Sequence, residues 1–232
     1  MVTILSINPN MAEVASLLGE TSRATILTSL LDGRFHTAGE LALMAVITPQ
    51  TASFHLSKLV EGNLVNVEKH GRHRYYQLAN GEIARILESF LAISPPPEVQ
   101  SLKQSRQVKM LQEARTCYDH LAGKLGVDLT ESMLKAGYLK KEEREFAVTP
   151  KGDYFFSEFG IDLLDLRRKR RSFSHSCLDW SERHHHLGGA LGNGLLTHFF
   201  DLGWIARVPS IRAVKVTPEG KEGFKEVFCI EV

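Results

Sequence analysis

Two short segments of this chain gather thiol, imidazole, carboxylate and guanidinium groups within a few residues. The first is Arg115-Thr116-Cys117-Tyr118-Asp119-His120; the second runs from His175 through Cys177, Asp179, Trp180 and Arg183 to His184-His185-His186. Cys-x-Asp occurs in both. A thiol beside cationic groups has a lowered pKa and can be redox-active, and thiolate with imidazole is a donor set for a soft metal. A third use is a small-molecule pocket lined by Arg115, Tyr118, Trp180 and His186, so the effector-binding candidates are Arg115, Cys117, Tyr118, His120, Cys177, Trp180, Arg183 and His186. As metal ligands the candidates are Cys117, Cys177, His184 and His186. Set against these uses is plain packing, with Cys117 and Cys177 as small buried hydrophobes at equivalent positions. Cys229, three residues from the end, reads as inert.

A different chemistry is suggested at residues 48–61. Thr48 is a good helix cap and Pro49 suits the first helical position. The helix that follows buries Ala52, Leu56, Leu59 and Val60 and turns Gln50, Thr51, Ser53, Phe54, Ser57 and Lys58 the other way. Short hydrogen-bonding side chains near a helix N-terminus can read base edges in a major groove. The bland alternative is a solvated helix face. The helix stops at Gly62-Asn63, and two strands follow, Leu64–Glu68 and Arg74–Leu78, around the turn His70-Gly71-Arg72-His73. Lys69, Arg72 and Arg74, with His70, His73, Tyr75 and Tyr76, make a basic tip able to hold phosphates. The DNA-binding candidates are therefore Thr48, Gln50, Thr51, Ser53, Phe54, His55, Ser57, Lys58, Lys69, Arg72, His73, Arg74 and Tyr75.

Residues about 12–92 resemble the winged helix-turn-helix of the ArsR/SmtB family of bacterial transcriptional regulators. The resemblance is carried by Leu18-Gly19-Glu20-Thr21-Ser22-Arg23-Ala24-Thr25-Ile26-Leu27, by Thr48 to Leu59 with its His55-Leu56-x-x-Leu59, by Gly62 to Val65, and by Arg72-His73-Arg74-Tyr75-Tyr76. Phe54 stands where the family often has a basic or polar residue, and Asn63 replaces a glycine. The resemblance implies a homodimer on an inverted-repeat operator of double-stranded DNA, usually released by an inducer. It also implies two habitual metal sites, and neither is present in this domain. The helix at Glu40–Val46 has no cysteine or histidine, and residues 82–94 have no histidine. An inducer, whether small molecule, thiol oxidant or soft metal, is thus expected in the C-terminal part, with no resident cofactor.

These residues need elements to position them. An amphipathic run, Ile83, Ile86, Leu87, Phe90 and Leu91, predicts a helix, and Pro95-Pro96-Pro97 ends it. That places a DNA-binding domain at 1–94, a Pro-rich linker and connecting helix at 95–115, and an effector domain at 116–232. Within the last, Leu121–Gly126 recurs at Leu187–Gly192, Ala136–Leu139 at Leu202–Ile205, and Val148-Thr149-Pro150 at Val216-Thr217-Pro218. The expected fold is mainly α with small β-hairpins (α+β). A winged helix-turn-helix is followed by two repeated helix–hairpin–helix units, at about 117–160 and 177–228, related by a pseudo-twofold axis.

Composition bounds the partners. There are 28 basic and 27 acidic residues for a net charge of +1, so a nucleic-acid partner must rest on local clustering. Arg167-Arg168-Lys169-Arg170-Arg171 is the strongest charge run and reads as a solvated helix end paired with Asp162 and Asp165. No run reaches the length of a membrane span, and Met1–Leu5 do not read as a secretory signal. Three scattered cysteines predict free thiols in a reducing cytoplasm. Hydrolase, phosphate-loop and zinc-protease motifs are missing, so the expectation is a regulator and not an enzyme, with an architectural DNA-binding protein without an inducer as the alternative and an enzyme using the C-terminal domain behind it.

Overall fold

The computed structural model describes residues 9–232; Met1–Leu5, read above for a targeting signal, lie outside them. The chain divides into two compact units, Met1–Ala84 and Arg85–Val232. No helix among the described residues is long and apolar enough to cross a membrane.

In the first unit, helices α1 (Met11–Leu18), α2 (Thr21–Ser29), α3 (Ala38–Met44) and α4 (Pro49–Glu61) precede the hairpin of β2 (Val65–His70) and β3 (His73–Leu78). Each helix start has a local cause. Asn10 caps α1, the Glu20 carboxylate takes the Ser22 and Arg23 amides at α2, and Thr37 with Glu40 forms a capping box at α3. Ile26, Leu27, Leu30, Leu31, Leu41, Leu56 and Leu59 are fully buried and make the core beneath α4. A further strand, β1 (His36–Thr37), lies against β3 with Thr37 opposite Tyr75. Two residues are too few to show an alternating pattern, and Thr37 serves both the strand and the cap. Next to it, buried Asp32 accepts from Arg34 Nε at 2.7 Å and faces His36 Nε2 at 2.9 Å.

Helix α5 (Gly81–Ile93) contains the division between the units, ten residues ahead of the proline boundary expected from sequence. The reason lies in its second half. Glu88 is ion-paired with Arg212, and the Ala92 carbonyl accepts from Arg183 Nη1 at 2.6 Å. The expected linker holds α6 (Leu102–Glu113).

The second unit then runs β4 (Arg115–Cys117), β5 (His120–Ala122), α7 (Gly123–Lys135), β6 (Leu139–Glu142), β7 (Glu145–Val148) and α8 (Pro150–Glu158). After α9 (Leu163–Arg168) the same order of elements follows in β8 (His175–Leu178), β9 (His185–Gly188), α10 (Gly189–Asp201), β10 (Ile205–Arg207), β11 (Val214–Val216) and α11 (Pro218–Phe228). Each series places a further hairpin ahead of the helix, strand, strand and helix read from the sequence. Leu121–Gly126 and Leu187–Gly192 lie at hairpin-to-helix junctions. Thr149 and Thr217 cap α8 and α11, each ahead of a first-turn proline. Gly152 and Gly220 sit against backbone: a Cβ there would come within 2.1 Å of the Tyr138 carbonyl oxygen and 2.0 Å of that of Trp204. The core is aromatic. Phe146, Phe156, Phe199 and Phe224 are almost wholly buried, and Trp204 stacks on Phe199 at 5.7 Å.

Candidate functional site

The Thr48 hydroxyl accepts the Thr51 amide at 3.2 Å and so opens α4. Along the helix, Gln50, Ser53, Phe54, Ser57 and Lys58 are exposed and Thr51 is half-buried. Ser53 and Ser57 return their hydroxyls to the carbonyls of Pro49 and Ser53, which keeps both side chains short against the helix. The Lys58 ammonium lies 4.6 Å from the centre of the Phe54 ring, a cation–π contact that occupies the departure noted at Phe54. His55 requires a correction. It is buried, with Nδ1 3.5 Å from both Arg23 Nη1 and Glu20 Oε2, and it cannot reach a base edge. Its spacing explains this, because Ala52, His55, Leu56 and Leu59 share one helical stripe. Arg23 also donates to the carbonyls of Leu17 and Ser16, at 2.8 Å each, so this set ties α4 to the turn between α1 and α2.

The wing is a two-residue hairpin. Gly71 takes φ 61°, which a tight turn needs and glycine adopts without strain. Lys69, Arg72, His73 and Arg74 are exposed. Lys69 stands directly across from Arg74, and like charges so placed repel unless an anion lies between them. Tyr75 is half-buried beneath the rings of His70 and His73, at 5.7 and 6.5 Å, and Tyr76 is buried as core.

In the second unit the chemically rich segments form the hairpins β4–β5 and β8–β9. Cys117 pairs across strands with His120, and Cys177 with His186. The four side chains meet: the two sulfurs are 3.8 Å apart and the two Nε2 atoms 3.1 Å. All four donor atoms lie within 4.8 Å of one another. Cys117, His120 and His186 are buried and Cys177 is half-buried. His184, taken above as a ligand candidate, is instead exposed, its Nδ1 3.3 Å from Glu131, because it lies in the loop ahead of β9 and outside the strand that carries His186. His120 occupies the fourth position.

Outside this group sits an ion-paired shell. Arg115, wholly buried, donates to Asp179 at 2.8 Å and lies 4.4 Å from the centre of the Trp180 ring. Asp179 also accepts the Gly123 amide at 2.7 Å. Arg115 is therefore packed between Asp179 and the Trp180 ring, and His186 Nδ1 lies 3.6 Å from the same carboxylate. Half-buried Tyr118 turns at φ 60°, and Arg183 is engaged by Ala92. Burial would raise the Asp179 carboxyl, but the Arg115 charge holds it well below the usual carboxylate range. Burial opposes Asp119 too, and hydrogen bonds from His120 and Arg171 hold it at about 2. The neighbouring Cys177 and burial push the Cys117 thiol up. Burial drives His186 far down and His175 to about 4. Of the basic run, Arg171 pairs with Asp119, Lys169 with Asp165, and Arg167 lies over Phe173, while Asp162 caps α9. Cys229 is exposed and ends α11.

No protein-family model matches the chain. An HTH-type transcriptional regulator of Bacillus subtilis (strain 168), YdfF, is 52% identical over 225 residues, which is 97% of this chain and 100% of the relative. Among solved structures, NolR from Sinorhizobium fredii is 26% identical with a TM-score of 0.34, covering 39% of this chain and 96% of its own. The cadmium metal-sensor CMTR from Mycobacterium tuberculosis is 31% identical with a TM-score of 0.33, covering 39% and 94%. Half the residues identical from end to end of both chains places this protein by descent: it belongs to the HTH-type transcriptional regulators.

Proposed function

We propose that the chain is a cytoplasmic, homodimeric, sequence-specific binder of double-stranded operator DNA, a repressor whose input is taken up in the C-terminal unit. The observation that carries this reading is the exposed polar face of α4, opened by a Thr48 cap and followed by a wing that sets Lys69 against Arg74. Gln50, Thr51, Ser53, Ser57 and Lys58 lie at base edges or the flanking backbone, and Lys69, Arg72, His73 and Arg74 hold phosphates. An inverted repeat demands a twofold partner. Exposed apolar side chains on α1 (Met11, Val14) and on α5 (Ile86, Phe90, Ile93) supply dimer surface. The two hairpin–helix series of the C-terminal unit read as copies about a pseudo-twofold axis, and a site between copies responds to small shifts of either. Burial of its polar groups, together with the family, supports a regulator and not an enzyme.

The test is a titration of the full chain on its operator and on random duplex over a range of salt. Ser53→Ala or Gln50→Ala costs roughly 1–3 kcal/mol on operator and little on random DNA. Arg72→Ala or Arg74→Ala weakens both and lowers the salt slope by about one each. Equal losses on both DNAs for the helix variants defeat the assignment.

A further inference from the structure

The Cys117–His120–Cys177–His186 cluster has a geometry that plain packing does not require. We propose that these four residues bind one divalent ion of the zinc class in a closed, tetrahedral Cys2His2 site that joins hairpin β4–β5 to hairpin β8–β9. In tetrahedral zinc sites the metal lies about 2.3 Å from sulfur and about 2.0–2.1 Å from nitrogen. A tetrahedron's edge is about 1.63 times its centre-to-corner distance, so two sulfurs should stand about 3.8 Å apart and two nitrogens about 3.3 Å. The observed separations are 3.8 and 3.1 Å. Each pair comes close to one tetrahedral edge, and all four donor atoms lie within 4.8 Å of one another.

The surroundings fit as well. Each imidazole turns Nε2 inward and Nδ1 toward a carboxylate, His120 to Asp119 at 3.3 Å and His186 to Asp179 at 3.6 Å. Ligating histidines are usually oriented by such an outer acceptor. His186 Nδ1 otherwise lacks a hydrogen-bond partner. Charge also closes. On binding, both thiols release their protons to solvent, and two thiolates offset the divalent ion between neutral imidazoles. The outer carboxylates are already matched, Asp119 by Arg171 and Asp179 by Arg115. A neutral buried centre avoids the cost of an uncompensated interior charge. Four protein donors leave no open position, which suits a structural or sensing ion and not a catalytic one. Soft sulfur and borderline imidazole disfavour magnesium and calcium, which take oxygen ligands.

This names a chemical class for the input proposed above and rests on that reading only for its regulatory consequence. The titration contains no DNA, so failure of the site and failure of operator binding are read separately. The full chain, reduced and stripped with a chelator, is titrated with Co2+ and then Zn2+. The expected result is one equivalent bound, the intense ligand-field bands of tetrahedral cobalt with a thiolate charge-transfer band, and displacement by zinc. Cys177→Ser, at the half-buried ligand, should lose more than the roughly 10–100-fold that removal of an outer hydrogen-bond partner costs. His184→Ala and Cys229→Ser should bind as the parent does. Should Cys177→Ser fail to fold, the parent still decides: Zn2+ should shield Cys117 and Cys177 from an alkylating reagent and leave Cys229 reactive. A weak octahedral cobalt spectrum, unaltered binding by Cys177→Ser, loss of binding by His184→Ala, or no shielding by zinc overturns the site.

Discussion

Side chains with chemistry to offer lie on the surface of the N-terminal unit and in the interior of the C-terminal one. Gln50, Ser53, Ser57, Lys69, Arg72 and Arg74 are exposed and owe little to one another, whereas Arg115, Cys117, His120, Asp179 and His186 are buried and packed together, with Arg115 Nε and His186 Nδ1 left without a hydrogen-bond partner. Exposed groups cost little to hold and can meet a large partner that brings its own charge. Buried ones are held at the expense of desolvation and suit a partner as small as an ion. The difference therefore separates sites where substitution changes recognition from sites where it changes folding.

Four predictions press on that difference. The largest effect is expected at Asp179→Ala, which strands the buried Arg115 guanidinium; breaking such a pair costs about 3–5 kcal/mol. Urea unfolding of the full chain should show it, and a loss under about 1 kcal/mol would mean that the pair is hydrated. Next come Gly152→Ala and Gly220→Ala, whose new methyl groups meet a carbonyl oxygen at 2.1 and 2.0 Å. Overpacking of that kind costs about 1–3 kcal/mol or more, and the two losses should agree within about 0.5 kcal/mol if the halves are copies. Unequal losses would break the equivalence.

A third prediction turns to the N-terminal unit, which has a buried carboxylate of its own at Asp32. Burial opposes its ionisation, but the hydrogen bond with His36 prevails and its pKa falls below 3.8. Its stabilising effect is thus fully present above that value and lost as pH falls through the lower folded one. Asp32→Asn should be less stable than the parent by about 1–2 kcal/mol near neutrality, and the gap should close in acid. A gap independent of pH would assign the effect to packing. Smallest are the exposed positions of α4. Thr48→Ala should cost about 1 kcal/mol as a lost cap, and Ser53→Ala should stay within about 0.5 kcal/mol while changing operator choice. Thermal melts beside DNA titrations check both.

Helix α4 and its wing were legible because their signals are local. A Thr-Pro start, an i, i+3, i+4 stripe and a Gly-containing turn each act within a few residues. His55 shows the cost of reading a polar run by composition, since its position relative to Ala52 and Leu59 puts it on the buried side. The hairpins β4–β5 and β8–β9 were hidden by strands of three or four residues, too short for alternation to show. One signal for the cluster was available. The offset of 66 that aligns Leu121 with Leu187 also carries His120 onto His186, while Cys117 and Cys177 are 60 apart because the second hairpin has the longer loop. What no pattern could supply is the convergence of the two hairpins, which only packing around the aromatic core brings about.

Among the described residues, each two-stranded sheet joins consecutive strands, and β1 skips a neighbour to reach β3. An isolated antiparallel bridge from Arg115 to Ala213 is the long-range exception. The hairpin closures themselves are short, which favours fast, piecewise folding as the chain is synthesised. Contacts such as Arg115 with Asp179 and Cys117 with Cys177 span 64 and 60 residues. They can form only after both halves of the C-terminal unit have left the ribosome. A nascent chain would thus complete α4 and its hairpin well before the buried cluster of the C-terminal unit.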